Sequence, residues 1–216
     1  MSQNRWLELT ERNPEHSNWY IERFRTMAAN GDDLDGEARF IDTMAARGSR
    51  ILDAGCGPGR VGSYLARAGH HVVGVDRDPI LIAAAAHDHP GSTWLVGDLS
   101  QLDLPAVNIT DPFDVIVCAG NVLTFLDPDT RRPVLHRLAA HLGTGGRLVT
   151  GVGSGRDYAF TEFFDDAEQA GLAPDVLLAS WDLRPYNAEA DFLVAVLSLG
   201  AQADRADLDS ASLPGD

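Results

Sequence analysis

Carboxylates recur at the ends of apolar runs through the first half of this 216-residue chain. Asp53 lies in ILDAGCGPGR, residues 51–60, where an apolar stretch breaks into glycines at 55, 57 and 59. Asp76 closes VVGVD, and Asp98 follows WLVG. An ionised carboxylate only accepts, so it can hold hydroxyls, amino groups or a cation, each charge-assisted bond contributing about 1.5–3 kcal/mol. Gly55, Gly57 and Gly59 play the complementary part: without Cβ they adopt positive φ and let backbone amides approach a ligand closely. Asp76 follows Gly59 by 17 positions, near the spacing at which a strand-end carboxylate takes ribose hydroxyls. Asp98 can accept from an adenine amino group while Leu99 packs on the ring. One such aspartate is ordinary in a turn or helix cap. Three at successive strand ends point to a nucleotide.

Those ends must be set by a sheet. Strand-like runs at Arg50–Ala54, His71–Val75, Thr93–Val96, Phe113–Cys118 and Arg147–Val152 alternate with helical periods. The helices are expected at Arg60–Ala68, at Pro79–Asp88 behind an Asp78 cap, and at Asp129–Leu142. Crossovers of this length require parallel neighbours, with ligands at the strands' carboxyl ends. A helix at Phe160–Ala170 then precedes strands at Leu172–Leu183 and Asp191–Leu199. The turn between them, RPYNAEA, is too short for a crossover, so they should form a terminal antiparallel hairpin. Residues 14–47 read as two helices ahead of the first strand. The expected fold is therefore α/β: a Rossmann-like seven-stranded sheet, five strands parallel plus the C-terminal antiparallel hairpin, with helices on both faces and two N-terminal helices. Residues 1–200 should form a single domain with 14–47 as a helical cap, and the acidic, aperiodic stretch 201–216 a disordered tail.

Bulk composition narrows the partners. A net charge of −15 opposes binding of a phosphate backbone, so nucleic acid is excluded as a partner. All 17 basic residues are arginine, which removes Schiff-base, P-loop and lysine-base chemistry. The start lacks an apolar signal core, and no apolar run approaches the roughly 18 residues that cross a bilayer. The expectation is a cytoplasmic protein with no membrane partner, as monomer or homodimer. Cys56 and Cys118 form neither a disulfide framework nor a zinc site, and no metal is expected.

The segments ILDAGCGPG, VVGVDRDP, GDLSQL and FDVIVCAGN resemble those of class I S-adenosylmethionine-dependent methyltransferases, over roughly residues 14–200. GEARFID and AGNVLTFL resemble small stand-alone bacterial members in particular. The resemblance implies S-adenosylmethionine as cofactor and S-adenosylhomocysteine as product. It implies that Asp53, Ala54, Gly55, Cys56 and Gly57 hold the methionine end, Asp76 and Arg77 the ribose, and Asp98 and Leu99 the adenine. Ala119 and Asn121 fall beside the same cofactor, Arg39 resembles an arginine that binds its carboxylate, and Trp19 or Tyr20 roofs it. One competing match exists: GPGRVG, residues 57–62, also fits the G-x-G-x-x-G dinucleotide fingerprint of nicotinamide oxidoreductases. A pyrophosphate there would face Asp53, whereas a sulfonium and an ammonium would be attracted by about 4 kcal/mol at ~4 Å and an effective dielectric of 20. The cationic cofactor is favoured.

The acceptor is the open question. Methyl transfer is an in-line displacement, so positioning supplies most of the help, about 7–11 kcal/mol. Where related enzymes place a histidine base, this chain has Thr124 and Phe125. That favours a small-molecule acceptor methylated at nitrogen, with Asn121 as the candidate positioning residue, or else a non-catalytic binder of the cofactor. Arg156, Tyr158, Arg184 and Tyr186 are candidate substrate-binding residues for a carboxylate or phosphate; the ordinary alternative is loop arginines paired with Asp157 and Asp182.

Overall fold

The seven strands run in the order β3-β2-β1-β4-β5-β7-β6. We describe a computed structural model over residues 4–200; the expected acidic tail, 201–216, lies outside the described residues. The strands are β1 (Arg50–Ala54), β2 (His71–Asp76), β3 (Thr93–Val96), β4 (Phe113–Cys118), β5 (Leu142–Gly153), β6 (Leu172–Leu178) and β7 (Phe192–Leu199). The first five are parallel, and β7 inserts antiparallel between β5 and β6. Strand order reverses between β1 and β4, the switch point where such sheets open a crevice for ligands.

Alternation along the strands divides the core into two layers. Leu52, Ile116 and Leu148 join Leu135, Leu138 and Phe163 on one face. Ile51, Val117 and Val149 meet Ile41 and Leu65 on the other. The helices are α1 (Arg5–Arg12), α2 (His16–Ala29), α3 (Gly36–Met44), α4 (Arg60–Arg67), α5 (Pro79–Asp88), α6 (Val122–Phe125), α7 (Arg131–Ala140) and α8 (Phe160–Gln169). The Asp78 side chain caps α5 by accepting from the Ile80 and Leu81 amides, with Pro79 at the first helical position, as its sequence dictates. Asn4 caps α1 in the same way through the Trp6 and Leu7 amides.

Three expectations shift. A third helix, α1, precedes the two read from residues 14–47; its eight residues span only about two turns, too short a window for a period to be read. β5 starts at Leu142 rather than Arg147: the glycine-rich LGTGG continues the strand across a register shift opposite Phe113 and Val115. β6 stops at Leu178 rather than Leu183, and residues 179–191 form a loop in which Leu183 takes a left-handed φ of 69°.

Candidate functional site

The site is built where β1, β2 and β3 end. Asp53 shares the α3–α4 face of the sheet and is 2% exposed; its Oδ2 accepts from the Gly62 amide at 2.8 Å. Burial pushes its carboxyl up to about 7, opposed by the Gly62 hydrogen bond and the nearby Arg60. The glycine loop then turns with φ of 78°, 54° and 85° at Gly55, Gly57 and Gly59. At Gly55 the constraint is also spatial, since a Cβ would sit 2.5 Å from a Val122 methyl.

Asp76 ties this loop to the next. Its Oδ2 accepts from the Gly57 amide at 2.8 Å and its Oδ1 from the Asp78 amide at 2.9 Å, leaving each oxygen a second lone pair for a ligand. Burial raises its carboxyl too, although both amides oppose the shift. Asp98 accepts from Ser100 through Oδ1, while Arg77 approaches its Oδ2 at 3.5 Å. Leu99 is buried beside it.

Two adjoining cavities result. The first is lined by Asp76, Arg77, Gly97, Asp98 and Leu99 below and by Trp6, Tyr20, Val122, Phe125 and Leu126 above, around about 730 Å³ of empty space with its open mouth included. The second, about 360 Å³ on the same measure, is lined by Asp53, Cys56, Gly57, Arg60, Phe24 and Ala119. They meet at Tyr20, Gly55, Gly57 and Gly120, which line both. A ligand spanning them would place its nucleoside against Asp76 and Leu99 and its other end against Asp53.

The roof comes from α1 and α2. Trp6 stands edge-on to Tyr20 and Phe125, with ring centroids 5.2 and 6.4 Å away. Its Nε1 donates to Asp78 Oδ2 at 2.8 Å, and Ser17 donates to the same oxygen. Arg5 meanwhile donates to Asp157 Oδ2 at 2.9 Å, so α1 is strapped across the sheet's carboxyl edge at two points.

Several expected residues lie elsewhere. Trp19 is 53% exposed, stacked on His16 with its indole outside the cavities; Trp6, which the sequence reading missed, takes the roof with Tyr20. The only local signal for Trp6 was an asparagine cap ahead of RWLELTER. Arg39 turns away from the cavities to a bidentate pair with Asp33 at 2.6–2.7 Å, held by a carboxylate six residues back. Ala54 is fully buried in the sheet core. Tyr158 is core as well: its hydroxyl donates to Asp166 at 3.0 Å and its ring lies under the Arg131 guanidinium, 4.3 Å from the centroid. Arg184 pairs with Asp182 at 3.0 Å, the ordinary alternative, and Tyr186 packs edge-on against Phe160. Arg156 is an exposed loop residue whose carbonyl accepts from Arg5. Asn121, at φ 63°, commits its Oδ1 to the Gly153 amide at 2.7 Å and so joins the ends of β4 and β5. Cys56 and Cys118 are buried thiols; desolvation raises Cys56 well above its ordinary range and Cys118 up to about 12.

Comparison with known proteins fits this geometry. Residues 51–146 match a family model described as a methyltransferase domain. The crystal structure of a TehB-like SAM-dependent methyltransferase from Corynebacterium glutamicum is 49% identical, covers 87% of this chain and 100% of that one, and superposes with a TM-score of 0.81. The chain belongs to the class I S-adenosylmethionine-dependent methyltransferases. The CcbJ methyltransferase of Streptomyces caelestis, 20% identical, shares the fold over 78% of this methyltransferase and 90% of its own chain, at a TM-score of 0.70. A ubiquinone biosynthesis O-methyltransferase of Xanthomonas oryzae pv. oryzae is 27% identical over 141 residues, 59% of this methyltransferase. The chain spans 58% of the length of that relative. Among the described residues no helix is long and apolar enough to cross a membrane, and no group of three histidine, cysteine or acidic side chains could hold a metal ion.

Proposed function

We propose that this protein transfers a methyl group from S-adenosylmethionine to a small molecule. The observation that carries the proposal is the pair of joined cavities, one edged by Asp76, Asp98 and Leu99 and the other by Asp53. Gly55, Gly57 and Gly120 line both cavities and present no side chain to them, which fits a ligand held close to backbone. When bound, the donor supplies an already activated sulfonium methyl. The protein's part is to hold and to exclude water: Asp76 takes the ribose hydroxyls, Asp98 and Leu99 the adenine, and Asp53 faces the cationic end. Tyr20 and Gly120 border the junction where the methyl would lie.

We keep nitrogen as the preferred acceptor atom, because among the described residues lining either cavity none is a histidine, which suits an acceptor that arrives with a free lone pair. Several curated relatives bear the name ubiquinone biosynthesis O-methyltransferase, which makes a small-molecule hydroxyl the second reading, although another is named as a guanine-N(7)-methyltransferase. The substitution Asp76→Asn keeps the side chain's shape and one acceptor oxygen. It should weaken calorimetric binding of S-adenosylhomocysteine by about 2 kcal/mol, roughly 30-fold; undiminished affinity would sink the ribose assignment. Incubation with labelled donor and a metabolite extract tests transfer itself, and tight donor binding with no labelled product would favour a binder over an enzyme.

A further inference from the structure

We propose that Arg156 receives an anionic group, a carboxylate or a phosphate monoester, which the methyl acceptor carries as a handle separate from the atom that is methylated. The proposal rests on the transfer reading above and deepens it by naming the acceptor's charge. The route from the cavities to Arg156 is short. Gly120 lines both cavities yet is itself exposed, and a Cβ on it would meet nothing within 4 Å, so their junction opens to solvent there. The next residue, Asn121, reaches across to the Gly153 amide at the end of β5. A Cβ on Gly153 would fall 2.9 Å from Asn121 Oδ1 and 3.2 Å from Arg156 Nε. The arginine side chain therefore lies across this glycine, beside Asn121 and next to the opening.

The loop that carries Arg156 is held in shape. Ser154 donates its amide to the Asp191 carbonyl at 2.8 Å, and Gly155 and Asp157 flank the arginine with left-handed φ of 66° and 57°. Arg5 of α1 donates to the Arg156 carbonyl at 3.3 Å and to Asp157 Oδ2 at 2.9 Å. The second bond occupies the carboxylate adjacent in sequence and so withholds it from Arg156. The Arg156 guanidinium has no hydrogen-bond or ion-pair partner among the described residues. Arg60, Arg77 and Arg184, at the same end of the sheet, each pair with a carboxylate: Glu37, Asp98 and Asp182.

An unpaired guanidinium has a particular consequence in this chain. At a net charge of −15 the protein repels an anionic acceptor, and a local fork of five N–H donors offsets that repulsion at one point while engaging two oxygens at once. A neutral acceptor gains nothing from that charge. A protonated amine is repelled by it, which favours an acceptor nitrogen that arrives with its lone pair free.

The test starts from labelled donor and a metabolite extract. Products carrying the labelled methyl, freed of unreacted donor, should be retained on a strong anion exchanger at about pH 11, where amines are largely neutral while carboxylates and phosphates stay charged. Retention abolished by alkaline phosphatase identifies a phosphate monoester; retention that survives it identifies a carboxylate. With the retained acceptor fraction as substrate, Arg156→Gln should raise KM about 10- to 100-fold and leave kcat, S-adenosylhomocysteine affinity and the melting temperature nearly unchanged. Arg156→Lys keeps the charge without the fork and should recover part of the loss, whereas Arg184→Gln should behave as the unaltered protein does. Labelled products that pass through the exchanger, or an Arg156→Gln KM equal to that of the unaltered protein, would overturn the proposal. No labelled product at all, from protein that binds S-adenosylhomocysteine, would refute the transfer reading instead.

Discussion

Replacing Asp53 by asparagine should stabilise the empty protein and weaken donor binding at once. The carboxyl is 2% exposed and sits up to about 7, against an ordinary 3.8. That gap corresponds to a ceiling of about 4 kcal/mol of folding free energy lost by forcing the group to ionise in its burial site. The sign follows from proton binding: between 3.8 and 7 the folded protein holds the proton that the unfolded chain releases, so stability falls as pH rises through that window. Asparagine removes the charge yet keeps an oxygen for the Gly62 amide. At pH 8 the variant should therefore melt higher, by several degrees at about 2–4 °C per kcal/mol for a domain of this size. The advantage should shrink toward pH 4. In the intact protein a bound sulfonium would offset the ionisation, so calorimetry near pH 6 in buffers of different protonation enthalpy should show proton release on S-adenosylmethionine binding. The variant should show none and should lose at least about 10-fold in donor affinity, with a smaller loss for S-adenosylhomocysteine. A variant that melts lower at pH 8, or binds donor undiminished, would refute the reasoning that Asp53 is a buried charge kept for a cation.

Gly74→Ala should destabilise by about 1–3 kcal/mol in urea denaturation, since its Cβ would lie 2.3 Å from the Trp94 ring and 3.0 Å from Cys56 Sγ. Trp6→Phe removes the indole bond to Asp78 while keeping a ring in the roof; product dissociation in stopped flow should quicken about 5-fold, with the melting temperature lowered by a few degrees, about 2–4 °C per kcal/mol. Tyr158→Phe should cost about 1–3 kcal/mol of stability through the lost bond to Asp166 and leave S-adenosylhomocysteine affinity unaltered, as expected of a core residue and not of a substrate contact.

The chain's own pattern was enough for the sheet and for the floor of the site. Alternating periods placed five parallel strands and the antiparallel pair, because each element buries one face and that face must repeat with the element's own geometry. The glycine loop was legible for a similarly local reason: positive φ and close backbone approach restrict residue type at the position itself. Asp53, Asp76 and Asp98 followed, since the end of a strand is where its side chains meet the crevice. Sequence pattern did not tell which neighbouring arginine or tryptophan faces inward. Arg39 and Arg60 both flank the loop, and the choice fell to Asp33 and Glu37, each engaging one of them. Trp6 and Trp19 are equally aromatic, and Trp6 became the roof because Asp78, 72 residues away, accepts its indole N–H. Such pairings depend on which helix faces pack together after the sheet has formed, and no periodicity within a single segment carries that information.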